Sequence, residues 1–389
     1  MTEKNLLVCL KKNYGEVPLM KSKVFWIEPE RAWQKFDSLL TASGIEERIK
    51  EGDIVAIKMH FGELGNIRYI RPSFARKVVE MVKRKKGLPF LTDTTTLYRR
   101  ARHTLFDYLK TAAGNGFTAE SMGCPVIIAD GLRGTSGKWI KLETHEKFDQ
   151  VKVAQSIFEA DFLIALSHAT FHPDAGFASS VKNVAMGCVT KETKLAMHSS
   201  EAKPVYDEEK CIHCLRCVNI CPGEAFWEKD GQVFYEPQKC VGCGECVAVC
   251  PSGAITIPWE SMLSYDVQRG LIDGFRGVSA CFKKDKLAFI NIGFDVTPDC
   301  DCVSETKLPA VPDIGILASL DAFACDKATY DLVVKAPSYP GSQPDRAGIK
   351  AGEDKIKSVF PEVDMPRYWQ LCEKSDMGNL EYQLKQVEI

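Results

Sequence analysis

The chain lacks three features that would assign it to common classes of protein. It has no apolar stretch near the roughly 20 residues that a membrane-spanning helix needs, and the apolar run near its N-terminus is too short for a secretory signal. Its formal net charge is only −2, so a general attraction to nucleic acid or to an anionic membrane is not indicated. Its 16 cysteines among 389 residues are too dilute for a small disulfide scaffold. We therefore expect a cytoplasmic protein with reduced thiols, and with no nucleic-acid or membrane partner.

The cysteines that are present are concentrated in one short segment. Eight of the sixteen lie between Cys211 and Cys250, where one pattern of four cysteines occurs twice. The surrounding segment, 204–258, holds eight acidic and four basic residues, so its local charge is −4, and Pro204 and Pro258 bracket it. We predict that it is a small domain inserted into one larger domain formed by residues 1–203 and 259–389.

The spacing of these eight cysteines is specific. Each half of the repeat follows Cys-x2-Cys-x2-Cys-x3-Cys-Pro, which is the spacing of bacterial two-cluster ferredoxins, where the fourth cysteine ligates the other cluster. A zinc site built from two Cys-x2-Cys knuckles would leave four of the eight cysteines without a role. We therefore predict two 4Fe–4S clusters. The expected ligands are Cys211, Cys214, Cys217 and Cys250 for one cluster, and Cys240, Cys243, Cys246 and Cys221 for the other.

The two flanking segments show the alternation of strands and helices that is typical of an α/β domain. Apolar runs bounded by turn residues predict strands at 54–59, 89–92, 126–129, 161–166, 287–292 and 313–317, and an alternating tail suggests a last strand at 380–384. Apolar residues at helical spacing predict helices at 72–86, 148–160 and 319–332. Pro72 would open the first helix and Gly87 would close it. The predicted fold is α/β, with a mostly parallel sheet and helices on both faces, interrupted by a small α+β ferredoxin-like domain.

Polar and titratable side chains follow the predicted strands. Because ligands bind beyond the carboxyl ends of parallel strands, we expect a site there, and its candidate catalytic residues are Lys58, His60, Asp93, His168 and Lys182. If Lys182 and the neighbouring arginines converge, the ligand is an anion such as a carboxylate or phosphate. The alternative is that the arginines form a solvated face and the histidines are structural. No dinucleotide fingerprint is present, so NAD is not predicted.

A second group of cysteines suggests a third metal or cluster site. Cys300 and Cys302 stand two positions apart, a spacing that could place two thiolates on one metal, and Cys188 could join them. Cys281 and Cys325 could join the same group, with His168, His172 or His198. The alternative is a pair of buried thiols at a turn, because unligated cysteine is often fully buried.

These motifs together resemble the iron–sulfur proteins of the family called domain of unknown function 362. The resemblance rests on Lys58-x-His60-x-Gly62-Glu63, Asp93-Thr94, Asp130-Gly131, Ser167-His168, Lys182-Asn183, Gly187-Cys188, Cys300-Asp301-Cys302 and Asp313-Ile314-Gly315. It covers nearly the whole chain and implies two 4Fe–4S clusters within a domain whose reaction is largely unassigned. It also implies an anaerobic bacterial or archaeal source. The chain departs from the usual pattern at 99–100, 169–171 and 178–180, all near the predicted pocket.

Three functions fit these features. The first is an oxidoreductase, in which a ferredoxin-like or other protein donor reduces the clusters and electrons pass to an anionic small molecule at the sheet edge. His60 or His168 would then move protons near neutral pH. We favour it because 334 of the 389 residues lie outside the insert, and a carrier alone does not need them. The second is an electron carrier or redox adaptor without its own chemistry. The third is a metal or cluster maturation factor that holds a transferable metal at Cys300 and Cys302.

Overall fold

The chain forms 17 strands and 13 helices within the residues that the structure describes. The structure is a computed structural model and describes residues 7–8, 21–198, 203–240, 242, 244–257 and 264–388. The strands are β1 (Leu7–Val8), β2 (Ser22–Ile27), β3 (Ile54–Lys58), β4 (Leu88–Asp93), β5 (Val126–Ile128), β6 (Gly137–Lys141), β7 (Gln150–Ala154), β8 (Phe162–His168), β9 (Thr170–His172), β10 (Gly176–Ala178), β11 (Val205–Tyr206), β12 (Phe226–Lys229), β13 (Gln232–Tyr235), β14 (Ile255–Thr256), β15 (Leu287–Gly293), β16 (Gly315–Ser319) and β17 (Tyr382–Gln386).

The helices are α1 (Ala32–Ala42), α2 (Pro72–Arg84), α3 (Leu105–Gly114), α4 (Ala119–Met122), α5 (Gln155–Phe158), α6 (Ser180–Ala185), α7 (Lys191–His198), α8 (Arg216–Ile220), α9 (Glu245–Val249), α10 (Ser264–Ser279), α11 (Ala322–Lys335), α12 (Gln343–Arg346) and α13 (Met365–Lys374). Short 3-10 turns occur at Pro29–Arg31, Glu46–Arg48, Glu208–Lys210 and Pro237–Lys239. Within the described part of the chain, no helix combines the length and the apolar character that crossing a membrane requires.

An eight-stranded sheet organises the α/β part, in the order β17-β2-β16-β15-β8-β3-β4-β5. The strands β15, β8, β3, β4 and β5 run parallel to one another. β16 is antiparallel to both of its neighbours, and β17 pairs in parallel with β2. The sequence prediction of an α/β fold with a mostly parallel sheet is confirmed. Since parallel strands end at the same edge, the segments that follow β3, β4, β8 and β15 converge there.

Helices cover both faces of this sheet because its central strands are apolar on both sides. Along β3, Val55 and Ile57 pack into one hydrophobic core, while Ala56 packs into the other. The first core includes side chains of α1 and α2, and the second includes side chains of α10 and α11. The site edge is therefore carried by a rigid, fully packed framework.

The structure corrects two details of the predicted helices. Of the predicted helix 148–160 only Gln155–Phe158 is helical, as α5, while Gln150–Ala154 form the strand β7. Val151 and Val153 alternate into the core, and β7 pairs antiparallel with β6. The helix that begins at Pro72 ends at Arg84, two residues before the predicted end, and the left-handed residue is Lys86 (φ 58°) and not Gly87. Gly87 is needed for a different reason, since a Cβ there would lie 2.8 Å from Cγ1 of Val82.

The segment predicted as an insert has its own small sheets and its own apolar cluster. β11 pairs with β14, and β12 forms a hairpin with β13, both antiparallel. Cys217, Cys246 and Cys250 are buried in the apolar cluster, which also takes in Leu97 and Leu195 from the α/β part. The two parts of the chain therefore share a packed contact.

Candidate functional site

A cavity of about 440 Å³ lies at the carboxyl edge of the parallel strands. The structure brings all five candidate residues to its wall: Lys58, His60, Asp93, His168 and Lys182. Lys58, Asp93 and His168 are the last residues of β3, β4 and β8. His60 lies two residues after the end of β3, and Lys182 lies on α6. The site is therefore built from strand ends and one short helix.

Lys58 and Asp93 form a buried ion pair across the neighbouring strands β3 and β4. Nζ of Lys58 lies 2.9 Å from Oδ1 of Asp93 and donates to Oδ1 of Asn183 at 2.6 Å. The Tyr108 hydroxyl donates to the second oxygen of Asp93. Each charge is thus compensated and hydrogen-bonded, which is the condition for keeping charges in a protein interior. This pair fixes the floor of the cavity and orients Asn183.

His168 is clamped at both ring nitrogens. Nδ1 lies 2.7 Å from Oδ1 of Asp301, and Nε2 lies 2.7 Å from the carbonyl oxygen of Phe294. Burial disfavours the charged ring, but the Asp301 carboxylate and the two acceptors outweigh it and raise the pKa of His168. With an acceptor at each nitrogen, the ring is a cationic link between β8 and the loop that follows β15.

His60 has the opposite protonation behaviour. Its Nδ1 accepts from the backbone N–H of Gly62 at 2.9 Å, and its buried Nε2 has no hydrogen-bond partner among the described residues. Burial, followed by the charges of Arg102 and Lys58, lowers the pKa of His60 well below its usual value. The neutral ring therefore offers an Nε2–H donor. The lowered pKa favours a role of His60 as a hydrogen-bond donor over the proton transfer expected from the sequence.

Cys300 and Cys302 lie in the wall of the cavity, within the loop clamped by His168. Their sulfur atoms are joined as a disulfide, with Cα atoms 5.2 Å apart. Both sulfurs and one ring nitrogen of His172 lie within 4.8 Å of one another. Nζ of Lys182 is 3.9 Å from Sγ of Cys300. This is a group of soft ligands that could hold a metal, although a disulfide would have to be reduced first.

The other cysteines of the predicted third site lie elsewhere. Cys188 and Cys325 are fully buried in the hydrophobic core next to the sheet, and burial raises the pKa of the Cys188 thiol to about 12. Cys281 follows the end of α10 and contacts the carbonyl oxygen of Gly277. Cys188 is not in the group of close ligand atoms that His172, Cys300 and Cys302 form. The spacing of cysteines in a sequence does not indicate which of them are buried. His172, at the end of β9 in the β9–β10 hairpin, is the residue that lies beside Cys300 and Cys302.

Five lysines and arginines and four aspartates, Asp93, Asp174, Asp299 and Asp301, line the cavity. Arg102 is neutralised by Glu63, with Nε 3.0 Å from Oε2, just as Lys58 is by Asp93. Arg100, Lys182 and Lys194 add further cationic groups to the lining. Burial, followed by the nearby Arg102, lowers the pKa of Lys182 to about 8. The amines of Lys182 and Lys194 have no direct carboxylate partner among the described residues, and Arg100 lines the same cavity. These three groups favour an anionic ligand.

Lys194 was missed in the sequence because it does not follow a strand. It lies on α7, and its Nζ donates to the Thr94 hydroxyl at 2.6 Å and to the carbonyl oxygen of Thr95. Burial also lowers its pKa to about 8. The available signal was the spacing of Lys191, Lys194 and His198, which lie on one helical face.

The repeated cysteines form two groups. Cys211, Cys214, Cys217 and Cys250 line one small, mostly apolar cavity. Cys240, Cys246 and Cys221 lie close enough to Tyr235 to act on it: burial first, and then these three cysteines, raise the pKa of its hydroxyl. Cys243, the fourth predicted member of that second set, lies outside the described residues. Each group thus draws one cysteine from the other half of the repeat.

One loop of the α/β part contacts both the cavity and the cysteine segment. Arg99 donates to the carbonyl oxygens of Cys250 and Pro251, the latter at 2.9 Å. Its neighbours Tyr98 and Arg100 line the cavity. On α7, Lys194 lines the cavity while Leu195 packs with the buried cysteines. One loop and one helix, α7, therefore contact both regions through residues that are adjacent in the sequence.

Comparisons with known proteins give one family and several distant structures, two of which are described below. The family described as Domain of unknown function (DUF362) matches residues 55–331. No protein with a curated description matches the sequence. The lactate racemase apoprotein from Thermoanaerobacterium thermosaccharolyticum is similar at 12% identity and a TM-score of 0.42, over 82% of this chain and 59% of that one. A Thermotoga maritima protein is similar at 11% identity and a TM-score of 0.36, over 69% and 52%. The chain thus spans only a little over half of either structure.

Proposed function

The chain belongs to the DUF362 family, and we propose that it is an iron–sulfur oxidoreductase acting on an anionic small molecule in the cavity. Two 4Fe–4S clusters would be its cofactors, and a ferredoxin-like protein would be its redox partner. The observation that carries the proposal is that the loop Tyr98–Arg100 and the pair Lys194-Leu195 contact both the cavity and the segment of repeated cysteines.

The repeated cysteines fit the proposed clusters. Four thiols, Cys211, Cys214, Cys217 and Cys250, gather at one cavity, and Cys221 joins Cys240 and Cys246 rather than its own half of the repeat. This exchange of the fourth cysteine is the ligand pattern of two-cluster ferredoxins. When bound, the clusters supply single-electron transfer. Because their assembly needs reduced thiols, we propose a cytoplasmic location.

The cavity residues would bind and orient the substrate. Lys182, Lys194 and Arg100 supply charge-assisted donors to a carboxylate or phosphate. His60 adds a neutral N–H donor through Nε2. The Lys58–Asp93 pair would be a positioning element: Lys58 holds Asn183 by a hydrogen bond, and the pair keeps two opposite charges at the cavity floor. Donors held in place before the ligand arrives stabilise developing negative charge without reorganisation.

A binding screen followed by an electron-transfer assay tests the proposal. Carboxylates and phosphates would be screened anaerobically by thermal shift, with wild type, Lys182→Gln and the exposed control Lys110→Gln. We expect ligands that raise the melting temperature of wild type and of the control but not of Lys182→Gln. Each ligand would then be tested as an oxidant of reduced methyl viologen in the presence of the protein.

Two results separate this function from its alternatives. Turnover of a bound anion that is lost in Cys211→Ser supports the oxidoreductase. Electron transfer to a protein partner that survives in Lys58→Gln and Lys182→Gln, with no anion bound, indicates an electron carrier instead. Stoichiometric release of metal to an apo-protein indicates a maturation factor.

A further inference from the structure

We propose that Cys300 and Cys302 form a redox-active dithiol–disulfide couple that faces the anion cavity. The couple would store two electrons beside the bound substrate. The source of those electrons rests on the proposed function, whereas the couple itself rests only on the geometry of the loop 299–303 and its neighbours.

The two sulfurs are both adjacent and accessible from the cavity. They are joined in the structure, and both residues line the cavity. Cys300 is 5% exposed and Cys302 is partly exposed. By contrast, Cys188, Cys325 and Cys372 are buried in the core with no exposed surface. Structural buried cysteines are inert, and reactive ones are found in accessible, electropositive surroundings.

The loop is held so that the pair stays at this position when the bond opens. Asp301, between the two cysteines, is fixed to His168 through its side chain. Its carbonyl oxygen accepts from the backbone N–H of Glu63 at 2.9 Å. The backbone N–H of Val303 donates to the carbonyl oxygen of Cys300 at 3.0 Å. These contacts do not depend on the sulfur–sulfur bond, so the reduced pair keeps its place.

The surroundings favour a thiolate at Cys300. The Lys182 ammonium lies 3.9 Å from its sulfur, and the backbone N–H of Cys302 donates to the same sulfur at 3.2 Å. A neighbouring cation and an N–H donor both stabilise the anionic sulfur, which is the nucleophilic form. Cys300 is therefore the attacking thiol when the bond forms again.

A permanent metal at this pair is disfavoured by the third ligand. Nδ1 of His172 accepts from the backbone N–H groups of Asp174 and Ala175, at 3.1 and 3.2 Å. The lone pair at Nδ1 is thus occupied, and in the neutral ring the proton is on Nε2. Neither nitrogen has a lone pair to give to a metal without breaking these bonds. Two thiols without a third ligand then favour a disulfide.

The redox step balances as follows. The sulfur–sulfur bond breaks when it takes up two electrons and two protons, which gives two thiols, and the reverse step returns them. The reductant is two equivalents of a low-potential, one-electron donor protein, which leaves two equivalents of its oxidised form. The couple would thereby collect electrons that arrive singly and deliver them as a pair to an acceptor in the cavity.

Differential alkylation of the full chain under anaerobic conditions tests the couple. Trypsin releases residues 287–307 as one peptide that holds Cys300, Cys302 and no other cysteine, and residues 277–283 as a control peptide with Cys281. After mild oxidation with oxidised glutathione, iodoacetamide should add nothing to the first peptide. After dithiothreitol it should add two groups, and the cycle should repeat. Cys302→Ser should give a thiol at Cys300 that no longer re-pairs within the peptide.

Two results would overturn the couple. One is full alkylation of both cysteines after the oxidant, while the control peptide is alkylated to the extent seen in folded, untreated protein. The other is one equivalent of metal, beyond the iron of the two proposed clusters, that is present in the isolated wild-type protein and absent from Cys302→Ser. A separate arm uses reduced methyl viologen in place of dithiothreitol, with wild type and Cys211→Ser. Reduction by dithiothreitol but not by viologen in wild type contradicts the electron supply in the proposed function and leaves the couple standing.

Discussion

His168 and Asp301 lie 133 positions apart in the chain and form a buried ion pair, with Nδ1 2.7 Å from Oδ1. Because Nε2 of His168 also meets the Phe294 carbonyl oxygen at 2.7 Å, the ring is held in its doubly protonated form. The pair ties the end of β8 to the loop that carries Cys300 and Cys302. It links the sheet to a wall of the site that the strand ends do not build.

Replacing His168 should destabilise the protein most at low pH. The folded-state pKa of His168 is raised, so its stabilising contribution is complete below the unfolded value of about 6.5 and is lost as pH rises through the folded value. Removal of one partner from a buried pair costs about 3 kcal/mol. His168→Gln should therefore lower the free energy of unfolding by roughly that amount at pH 5.5, and by clearly less at pH 9.

Urea unfolding at the two pH values measures this difference. His145→Gln is a suitable control, because His145 is exposed and lies away from the cavity lining. A loss of stability for His168→Gln that is the same at pH 5.5 and pH 9 would show that the ring acts by packing and not by its charge.

The strand-end rule predicted the position of the site from the sequence because it depends only on local patterns. Lys58, Asp93 and His168 each end a buried apolar run, and parallel strands bring such ends together. The rule fails for Lys194, which reaches the cavity from α7. It fails equally for Asp301, whose position depends on how the long segment between β15 and β16 closes. The repeat pattern of apolar residues does not predict the position of Lys194 or of Asp301 in the site.

The error at 148–160 has a similar cause. Val151, Ala154, Ile157 and Phe158 recur at helical spacing, but Val151 and Val153 also alternate as in a strand. Gln150–Ala154 form a strand and not a helix because β6 pairs with them. Pairing between segments is a tertiary effect that overrides local propensity.

The affinity of the cavity for an anion should fall as pH rises above about 8. The pKa values of Lys182 and Lys194 are lowered to about 8, so both amines lose their charge there, and only the ammonium form pairs with an anion. Lys182→Gln should weaken binding about tenfold or more at pH 7, because a charged hydrogen bond contributes roughly 1.5–3 kcal/mol.

Titration calorimetry of a ligand found in the screen, at pH 7 and pH 9.5, measures both effects. The pH dependence of Lys182→Gln should be weaker than that of wild type, since one titrating amine is absent. An affinity of wild type that stays constant between these values would contradict cationic recognition by the two lysines.

Iron content should fall by half when one group of repeated cysteines is broken. Wild type assembled without oxygen should hold about eight irons per chain, and Cys211→Ser or Cys240→Ser should hold about four, since each change removes one ligand of a single 4Fe–4S cluster. Cys124→Ala is the matched control, because Cys124 is a buried cysteine in the hydrophobic core that contains α1 and α2, outside the repeated cysteines. Iron and sulfide analysis with electron paramagnetic resonance checks the result, and stoichiometric zinc in place of iron would contradict it.

Arg99 should tune the redox potential in the cysteine segment without being needed for iron. Its guanidinium contacts the carbonyl oxygens of Cys250 and Pro251, so it places a positive charge beside a predicted cluster ligand. A nearby cation stabilises the reduced form, and net charge is one of the factors that set such potentials. Arg99→Gln should therefore lower the potential by on the order of 30 mV, where 59 mV corresponds to a tenfold change for one electron.

The comparison of three variants separates charge from contact geometry in a redox titration followed by electron paramagnetic resonance. Arg99→Lys keeps the positive charge but loses the two-pronged contact, so its potential should stay close to that of wild type. Arg76→Gln removes an exposed charge on α2 and serves as the control. All three variants should keep the iron content of wild type. A lowered potential in Arg99→Lys equal to that in Arg99→Gln would mean that the fork of hydrogen bonds, and not the charge, sets the effect.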